Sequence, residues 1–280
     1  MKGEYLGIDI GGTSFDMGIV KEGELVSKAQ SPVNANLSEN ALIEDLYALI
    51  DTLFHENIRG IGVGVPGVVD TEQGIIYDIQ NIPAWKEVSL QKKLEERYKV
   101  AVRINNDANC FALGEYYFGN GTKYDNFVTL SIGTGLGMGV IINNDLYEGV
   151  LCGAGEIGML PYKDGIVEEF AGSFFFSRTY GKSAKELHDL ALKNDTEGVK
   201  AFEEFGEHLG EAIKMILFMY APEAIILGGS ISKAFPQFES SMIKKVQTFP
   251  YKKQIKKLII TPSTVKNIAI LGAASLSFKL

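Results

Sequence analysis

The chain has 280 residues, 46% of them hydrophobic, and a formal net charge of −8 at pH 7. It is long enough for two cores, and its composition is that of an ordinary globular protein. The acidic charge argues against a nucleic-acid partner, because contacts to phosphates require a clustered basic surface. The one basic run, residues 251–258, is interpreted as a solvated face.

Cysteines and apolar runs argue against further classes of protein. The two cysteines, Cys110 and Cys152, form no CxxC pair, which disfavours a disulfide framework and a cysteine zinc site. No apolar run approaches the roughly 20 residues of a membrane helix. Asp9 interrupts the apolar stretch at the N-terminus, so no signal peptide is predicted. We expect a cytoplasmic protein without a membrane partner.

Strand-like and helix-like segments alternate along the chain, which predicts an α/β fold. The predicted strands are the apolar runs at residues 5–10, 15–20, 60–69, 100–105, 126–133, 137–142 and 223–229. The predicted helices cover residues 38–57, 89–98 and 197–220. Ser38 is the predicted N-cap of the first helix, and Pro222 follows the end of the last.

One pattern occurs twice, in residues 4–26 and in residues 126–149. Each copy has an apolar run, a glycine-rich turn with a threonine, and a Met-Gly pair followed by aliphatic residues. The corresponding residues are Ile10 and Ile132, and, after a slip of one residue, Met17 and Met138. The repeat predicts two related lobes with a cleft between them, divided near the polar segment 118–126.

Three glycine clusters are candidate ligand sites, at residues 9–14, 132–137 and 227–232. Glycines let backbone N–H groups approach an anion, and the threonines add hydroxyl donors. Each cluster alone is also explained by an ordinary turn, but two such turns in related lobes can clamp a polyphosphate. Asp9 stands where a carboxylate can hold a phosphate-bound magnesium ion through water.

A polar triplet, Asn105, Asn106 and Asp107, follows a predicted strand and precedes an apolar helical segment. Asp107 can be the N-cap of that helix. A carboxylate at a strand end can also accept a proton from an attacking hydroxyl, and both roles are compatible. The asparagines supply the neutral donors and acceptors that sugar hydroxyls require.

The chain resembles the ROK (repressor, open reading frame, kinase) family of sugar kinases over essentially its whole length. Five motifs occur in that family's order: DIGGT (9–13), GIGVGVPGVVD (60–70), NNDANC (105–110), LSIGTGLGMGV (130–140) and LGGSIS (227–232). The resemblance implies a two-lobed, duplicated actin/hexokinase-like (ribonuclease H-like) ATPase fold with an interlobe cleft. The implied parts are a smaller N-terminal lobe (1–118), a larger lobe (119–267), and a C-terminal helix (about 268–280) that packs back on the first lobe.

The resemblance also implies ATP-dependent transfer of the γ-phosphate to the 6-hydroxyl of a hexose or an N-acetylhexosamine, with Asp107 as general base. It further implies that Asp9 holds Mg2+ indirectly and that the protein is a homodimer. The implied nucleotide contacts are Gly11, Gly12, Thr13, Gly133, Thr134 and Gly135 for the phosphates, and Gly228 and Gly229 for the adenosine. The implied sugar contacts are Asn81, Asn106, Asp107, Glu156 and Glu168. Trp85 is either a shield over the sugar or a packing residue.

Residues 153–173 depart from the family pattern. Many members carry a Glu-x-Gly-His motif and then a cysteine-rich zinc loop, whereas here Met159 stands at the histidine position and the loop has no cysteine. Structural zinc sites are built from thiolate and imidazole ligands, and this region supplies neither, so we predict no zinc site. Glu169 is a rival of Glu168 as the second sugar carboxylate, and the family alignment favours Glu168. The three histidines are interpreted as surface or helix-end residues.

Several functions stay open. The apolar, flexible Met159 leaves room for an N-acetyl methyl group or an aglycone. Zinc-lacking members of the family resemble N-acetylmannosamine kinases or β-glucoside kinases, and glucose stays open as a third acceptor. A sugar-responsive repressor of the same family is disfavoured by the acidic charge and by a first strand that begins within five or six residues of the N-terminus, with no preceding helix-turn-helix. A non-catalytic sugar sensor is disfavoured by the retained Asp107, although fold alone does not establish activity.

Overall fold

The computed structural model describes residues 3–79 and 81–278. The chain divides into two compact units. The first contains the described residues up to Thr122, then Asp145–Ala154, and the described residues from Thr264 onward. The second contains Lys123–Asn144 and Gly155–Ser263. Within the described ranges, no helix combines the length and the apolar character that crossing a bilayer would require.

Strands and helices alternate along both units, as predicted. In chain order, the strands are β1 (Glu4–Ile10), β2 (Ser14–Lys21), β3 (Glu24–Pro32), β4 (Ile58–Val65), β5 (Val68–Asp70), β6 (Ile75–Tyr77), β7 (Glu87–Val88), β8 (Ala101–Asn106), β9 (Phe127–Ile132), β10 (Leu136–Ile142), β11 (Asp145–Leu146), β12 (Pro161–Tyr162), β13 (Gly165–Ile166), β14 (Ala224–Gly228) and β15 (Ile259–Pro262). The α-helices are α1 (Glu39–Asp51), α2 (Leu90–Tyr98), α3 (Asp107–Phe118), α4 (Val167–Ala171), α5 (Phe174–Tyr180), α6 (Ala184–Ala191), α7 (Thr196–Met219), α8 (Phe235–Val246), α9 (Lys252–Ile255) and α10 (Ile268–Ser275).

The first unit is built on a sheet with the strand order β3-β2-β1-β4-β8. β2 runs antiparallel to β1, whereas β4 is parallel to both β1 and β8. The apolar side chains of β1 and β4 are almost entirely buried, as expected for central strands that are covered on both faces. Because β1, β4 and β8 are parallel, their carboxyl ends lie at one edge of the sheet.

A second five-stranded sheet repeats this arrangement with the strand order β11-β10-β9-β14-β15. β10 is antiparallel to β9, and β14 is parallel to both β9 and β15. The repeat predicted from the sequence is therefore confirmed, and its slip of one residue has a simple cause. Ile10 pairs with Phe15 across residues 11–14, whereas Ile132 pairs with Leu136 across residues 133–135, so the second turn is one residue shorter.

Helix ends follow local chemistry. The hydroxyl of Ser38 accepts a hydrogen bond from the Ala41 N–H (3.4 Å), which confirms Ser38 as the N-cap of α1. α1 ends at Asp51 and not at residue 57, because the chain turns before Ile58 and begins β4 there. α7 begins after the N-cap Asp195 and ends before Pro222, close to the prediction.

Apart from residues 119–122 and 264–267, which fall in the first unit, the two units differ from the predicted lobes, residues 1–118 and 119–267, in one excursion. Residues 145–154 belong to the first unit, although β10 and the turn that precede them belong to the second. Cys152 is 4% exposed and lies in the hydrophobic core of the first unit. Glu148 accepts a hydrogen bond from Asn105 of β8 (2.6 Å). These two side chains anchor the excursion.

α10 packs against β1, β4 and α3 with the backbones almost in contact. A β-carbon at Gly62 of β4 would overlap the carbonyl group of Ala273 in α10. Likewise, a β-carbon at Gly272 of α10 would overlap the carbonyl oxygen of Cys110 in α3. Glycine is thus required at both positions for this helix to lie on the sheet.

We expect Gly62→Ala to destabilise the first unit by about 3 kcal/mol, because α10 must move away from the sheet to admit the methyl group. Urea unfolding followed by circular dichroism measures the loss. Gly181→Ala is the control: Gly181 has a φ of +65°, but no atom lies within 4 Å of the added β-carbon, so a loss of about 1 kcal/mol is expected. Equal losses in the two variants would contradict the packing argument.

Candidate functional site

The first glycine turn joins β1 to β2 and lies beside Asn81. The Gly11 N–H donates to the Ser14 carbonyl (2.8 Å), which closes the turn. A β-carbon at Gly12 would lie 2.6 Å from both Cβ and Nδ2 of Asn81, so the amide side chain packs directly on the backbone of the turn. Two predicted site residues, one assigned to phosphate and one to sugar, are therefore neighbours.

Asp9 lies at the end of β1, just before this turn. Burial raises the pKa of Asp9 to about 7, and the negative charges of Asp107 and Asp16 raise it in the same direction, while Lys28 opposes them. Lys28 forms an ion pair with Asp16 (3.1 Å). The carboxyl end of β1 and the first turn of α3 thus bring like charges together. A cation bound there would relieve the repulsion.

The polar triplet lies where β8 passes into α3. Asn106, and not Asp107, is the N-cap: its Oδ1 accepts from the N–H groups of Ala108 (2.8 Å) and Asn109 (3.4 Å). The prediction of Asp107 as N-cap is wrong because Asn106 already has the extended backbone that a cap requires (φ −64°, ψ 145°). Asp107 is the first helical residue, where a negative charge is stabilised by the helix dipole.

Asn105 and Asn106 are held by further hydrogen bonds. Asn105 is 2% exposed, and its Oδ1 accepts from the Asn106 N–H (2.8 Å) and from Nδ2 of Asn109 (2.9 Å). Nδ2 of Asn106 donates to the carbonyl oxygen of Gly67 (3.1 Å). The side chain of Asn106 is thus built into the backbone around it, which fixes its orientation.

The second glycine turn joins β9 to β10 in the second unit. The Gly133 N–H donates to the Gly135 carbonyl (3.0 Å), and the Gly133 carbonyl accepts from the Ser173 N–H (2.9 Å). Oε2 of Glu168 accepts from the Leu136 N–H (3.2 Å) and would lie 2.7 Å from a β-carbon at Gly135. A carboxylate therefore rests against this turn, as the Asn81 amide does against the first.

Two of the three candidate glutamates lie together. Burial and the nearby charge of Glu168 raise the pKa of Glu156. Glu169 instead lies 3.5 Å from the guanidinium of Arg178 in an ion pair. Glu168, which rests against the second turn, therefore has Glu156 near it, whereas Glu169 pairs with Arg178.

The third glycine cluster lies next to the second turn. Gly228 is the last residue of β14 and pairs with Ser131 of β9. Gly229 has a φ of +81°, and a β-carbon there would overlap the carbonyl oxygen of Ile132. The hydroxyl of Ser232 donates to the Gly229 carbonyl (2.8 Å), which holds the cluster in this position.

A magnesium ion that is bound mainly by nucleotide phosphates fits the position of Asp9. The charges of Asp107 and Asp16 already make the electrostatic potential around Asp9 negative. Among the residues with described positions, no group of three or more histidine, cysteine, aspartate or glutamate side chains could hold a metal ion by itself. Met159, at the position of the family's histidine, is 54% exposed.

The structure shows the surroundings of Trp85, whose role the sequence left open, and of His208, which was predicted to lie at the surface. Trp85 is fully buried and stacks on Phe15 (centroids 6.2 Å apart), so it packs the core and does not shield a ligand. His208 is half-buried among aromatic rings, and its Nδ1 lies 3.1 Å from the Tyr162 hydroxyl. Burial lowers the pKa of His208 to about 4. The interpretation of His208 as a surface residue is wrong, because the rings of Tyr162, Phe170 and Phe175 pack around its imidazole.

The sequence analysis missed Glu148. Its carboxylate accepts hydrogen bonds from Asn105 Nδ2 (2.6 Å) and, at 3.5 Å, from the hydroxyl of Thr71. No spacing rule relates these residues, since the hydrogen bond to Asn105 spans 43 positions.

We expect Asp9→Asn to stabilise the metal-free protein, and more so at high pH. The folded-state pKa of Asp9, about 7, lies above its ordinary value. The free energy of unfolding of the wild type therefore falls as the pH rises from that ordinary value to about 7. The gain should be about 2 kcal/mol larger at about pH 8.5 than at about pH 5. Urea unfolding of both proteins at each pH measures it, and a gain that does not depend on pH would contradict a raised pKa.

Comparison with known proteins identifies the family. The ROK family profile matches residues 5–279. The xylose repressor of Bacillus subtilis is 31% identical over 98% of this chain and 77% of its own length. A glucokinase of Halalkalibacterium halodurans is 31% identical over 82% of this chain and 81% of its own length.

A solved structure shows the same fold. The ROK family glucokinase of Streptomyces griseus, determined with glucose and AMPPNP, superposes with a TM-score of 0.85 over 99% of this chain and 100% of that one, at 23% identity. Together with the family profile and the two relatives, this agreement establishes that the chain belongs to the ROK family.

Proposed function

We propose that the protein is an ATP-dependent kinase that transfers the γ-phosphate of ATP to the 6-hydroxyl of a hexose or an N-acetylhexosamine. The observation that carries the proposal is the presence of Asp9 and Asp107 at one edge of the parallel strands, beside the first glycine turn. Open α/β sheets bind ligands at the carboxyl ends of their strands. The identity of 31% to a glucokinase supports the reaction class.

Asp107 is the proposed general base. Its carboxylate accepts the proton of the sugar hydroxyl while the hydroxyl oxygen bonds to the γ-phosphorus and the bond from that phosphorus to the β–γ bridging oxygen breaks, releasing ADP. Magnesium, when bound with ATP, neutralises charge on the β- and γ-phosphates, and Asp9 is the residue that would hold it through water. The remaining work of the chain is positioning.

Nucleotide contacts are proposed from the glycine clusters. In the first unit they are Gly11, Gly12 and Thr13. In the second unit they are Gly133, Thr134 and Gly135 for phosphate, and Gly228 and Gly229 for adenosine. Thr134 and Gly135 are the donors we favour in the second turn, because the N–H groups of Gly133 and Leu136 already donate to Gly135 and Glu168.

Sugar contacts are proposed for Asn81, Asn106 and Asp107 in the first unit, and for Glu156 and Glu168 in the second. Asn106 uses its oxygen as the cap of α3 and one N–H on Gly67, so its second N–H can donate to a sugar hydroxyl. Glu156 and Glu168 are neighbouring carboxylates, and hydroxyl donors between them would reduce their repulsion.

Glucose is the first acceptor to test, given the glucokinase relative. N-Acetylmannosamine and β-glucosides are the alternatives, because the exposed thioether of Met159 offers an apolar surface to a larger substituent. A second function, a sugar-responsive regulator, is favoured by one observation, the similarity to a xylose repressor over 98% of the chain. Sugar-sensitive binding to specific DNA would support it.

We expect Asp107→Ala to lower kcat by about 10²- to 10⁴-fold, because no other carboxylate replaces the base at the start of α3. A coupled ADP-release assay with ATP and magnesium, run on glucose, mannose, N-acetylglucosamine, N-acetylmannosamine and cellobiose, measures the loss. Unfolding midpoints show whether the variant is folded. A folded variant with a kcat close to that of the wild type would remove this mechanism.

Glu168→Gln and Glu169→Gln form a matched pair that tests the sugar contact. We expect the first to raise KM for the sugar about tenfold or more, because a charged acceptor next to Glu156 is lost. The second should leave KM within about twofold, since Glu169 pairs with Arg178. Steady-state kinetics with a varied sugar concentration gives both values, and the reverse ranking would transfer the role to Glu169.

A further inference from the structure

The excursion of residues 145–154 is held in a strained conformation. Leu151 and Cys152 have left-handed backbones, with φ of 53° and 58°, although neither is glycine. The Ala154 N–H donates to the Glu148 carbonyl (3.0 Å), which closes the loop. Strained residues of this kind persist only where the surrounding structure holds them, and they concentrate at functional positions.

The strain accompanies a hydrogen-bond network around the side chain of Asn105. Oε1 of Glu148 accepts from Nδ2 of Asn105 at 2.6 Å, the length of a charge-assisted hydrogen bond. On the other side of the amide, Oδ1 of Asn105 accepts from three donors: the Asn106 N–H (2.8 Å), Nδ2 of Asn109 (2.9 Å) and the thiol of Cys152 (3.3 Å). Every polar atom of this buried amide is therefore engaged.

The carboxylate determines which way the amide faces. An ionised carboxylate only accepts hydrogen bonds, so it selects the NH2 end of Asn105 and leaves the oxygen to the three donors. Burial raises the pKa of Cys152 to about 11, so at neutral pH its thiol is protonated and donates. Two of the three donors, Asn106 and Asn109, belong to the N-cap and the first turn of α3, on either side of Asp107.

We propose that Glu148 is a positioning residue of the kinase, acting through Asn105 to hold the first turn of α3, and with it Asp107, in the orientation that accepts the proton. This inference rests on the proposed kinase function. Without the carboxylate, the amide of Asn105 loses its fixed orientation, and the cap of α3 loses its support. Displacements of about 1 Å at a reacting group can lower a rate by about two orders of magnitude.

The test is steady-state kinetics of the full chain with the acceptor that the wild type phosphorylates fastest. Glu148→Ala should lower kcat about 10- to 100-fold and leave KM for ATP within about twofold. Asn105→Ala should show a similar loss, and the double variant should lose little more, because both changes break one connection. Glu148→Gln keeps an acceptor oxygen for Asn105 and should recover most of kcat.

Asp145→Ala is the matched control, since it removes an exposed carboxylate from the same segment; its kcat should equal that of the wild type. If Glu148→Ala lowers Tm by more than ~5 °C, Glu148→Met replaces it, because this side chain keeps the length and lacks the acceptor. A loss of kcat in Glu148→Met, with rescue in Glu148→Gln, again supports the proposal.

The outcomes separate this inference from the proposed function. An active wild type whose Glu148→Ala and Glu148→Met variants retain kcat overturns the positioning role alone. Additive losses in the double variant, or an effect confined to KM, do the same. A wild type that binds glucose or N-acetylmannosamine in calorimetry but phosphorylates no sugar overturns the kinase function and the positioning role together.

Discussion

The contact of α10 with β1, β4 and α3 is the constraint on which the first unit depends. Glycine at residues 62 and 272 lets the helix backbone lie directly on β4 and on α3. One helix therefore sets the separation between the sheet, which carries Asp9 at the end of β1, and α3, which carries Asp107 in its first turn. Because the spacing is set by backbone contact and not by adjustable side chains, the relation between these two carboxylates tolerates little variation.

Each unit places carboxylates where their charges oppose one another. Asp9 has a pKa raised to about 7 by burial and by Asp107 and Asp16, and the pKa of Glu156 is raised by burial and by Glu168. Such arrangements lower stability unless a ligand compensates them, and they are therefore characteristic of binding and catalytic sites. The first group is suited to a cation, and the second to hydroxyl donors. These are the two kinds of ligand that the proposed kinase would bind, a cation with its nucleotide and a sugar.

Much of the fold and of the candidate site could be predicted because their determinants are local. Apolar runs that end in glycine turns predict the repeated sheets, and Ser38 is recognisable as a cap from its neighbours. The excursion of residues 145–154 could not be predicted, since its anchoring hydrogen bonds span 43 and 47 positions and involve a glutamate and a cysteine with no periodic relation to Asn105. The burial of His208 could not be predicted for a similar reason: the aromatic rings around it come from residues far away in sequence.

The excursion also links the second glycine turn to the support of the proposed base through the covalent chain. β9, the second turn and β10 belong to the second unit, and the chain enters the first unit at Asp145, only three residues after the end of β10 at Ile142. Asn143 and Asn144 make this connection in left-handed conformations, with φ of 53° and 65°, as a tight turn requires. Glu148 follows almost at once and contacts Asn105. A single continuous stretch, residues 127–154, therefore carries both the second glycine turn and the support of the strand end that precedes Asp107. The repeated hairpin of the second unit and the segment that supports the proposed base in the first unit are thus neighbours in sequence.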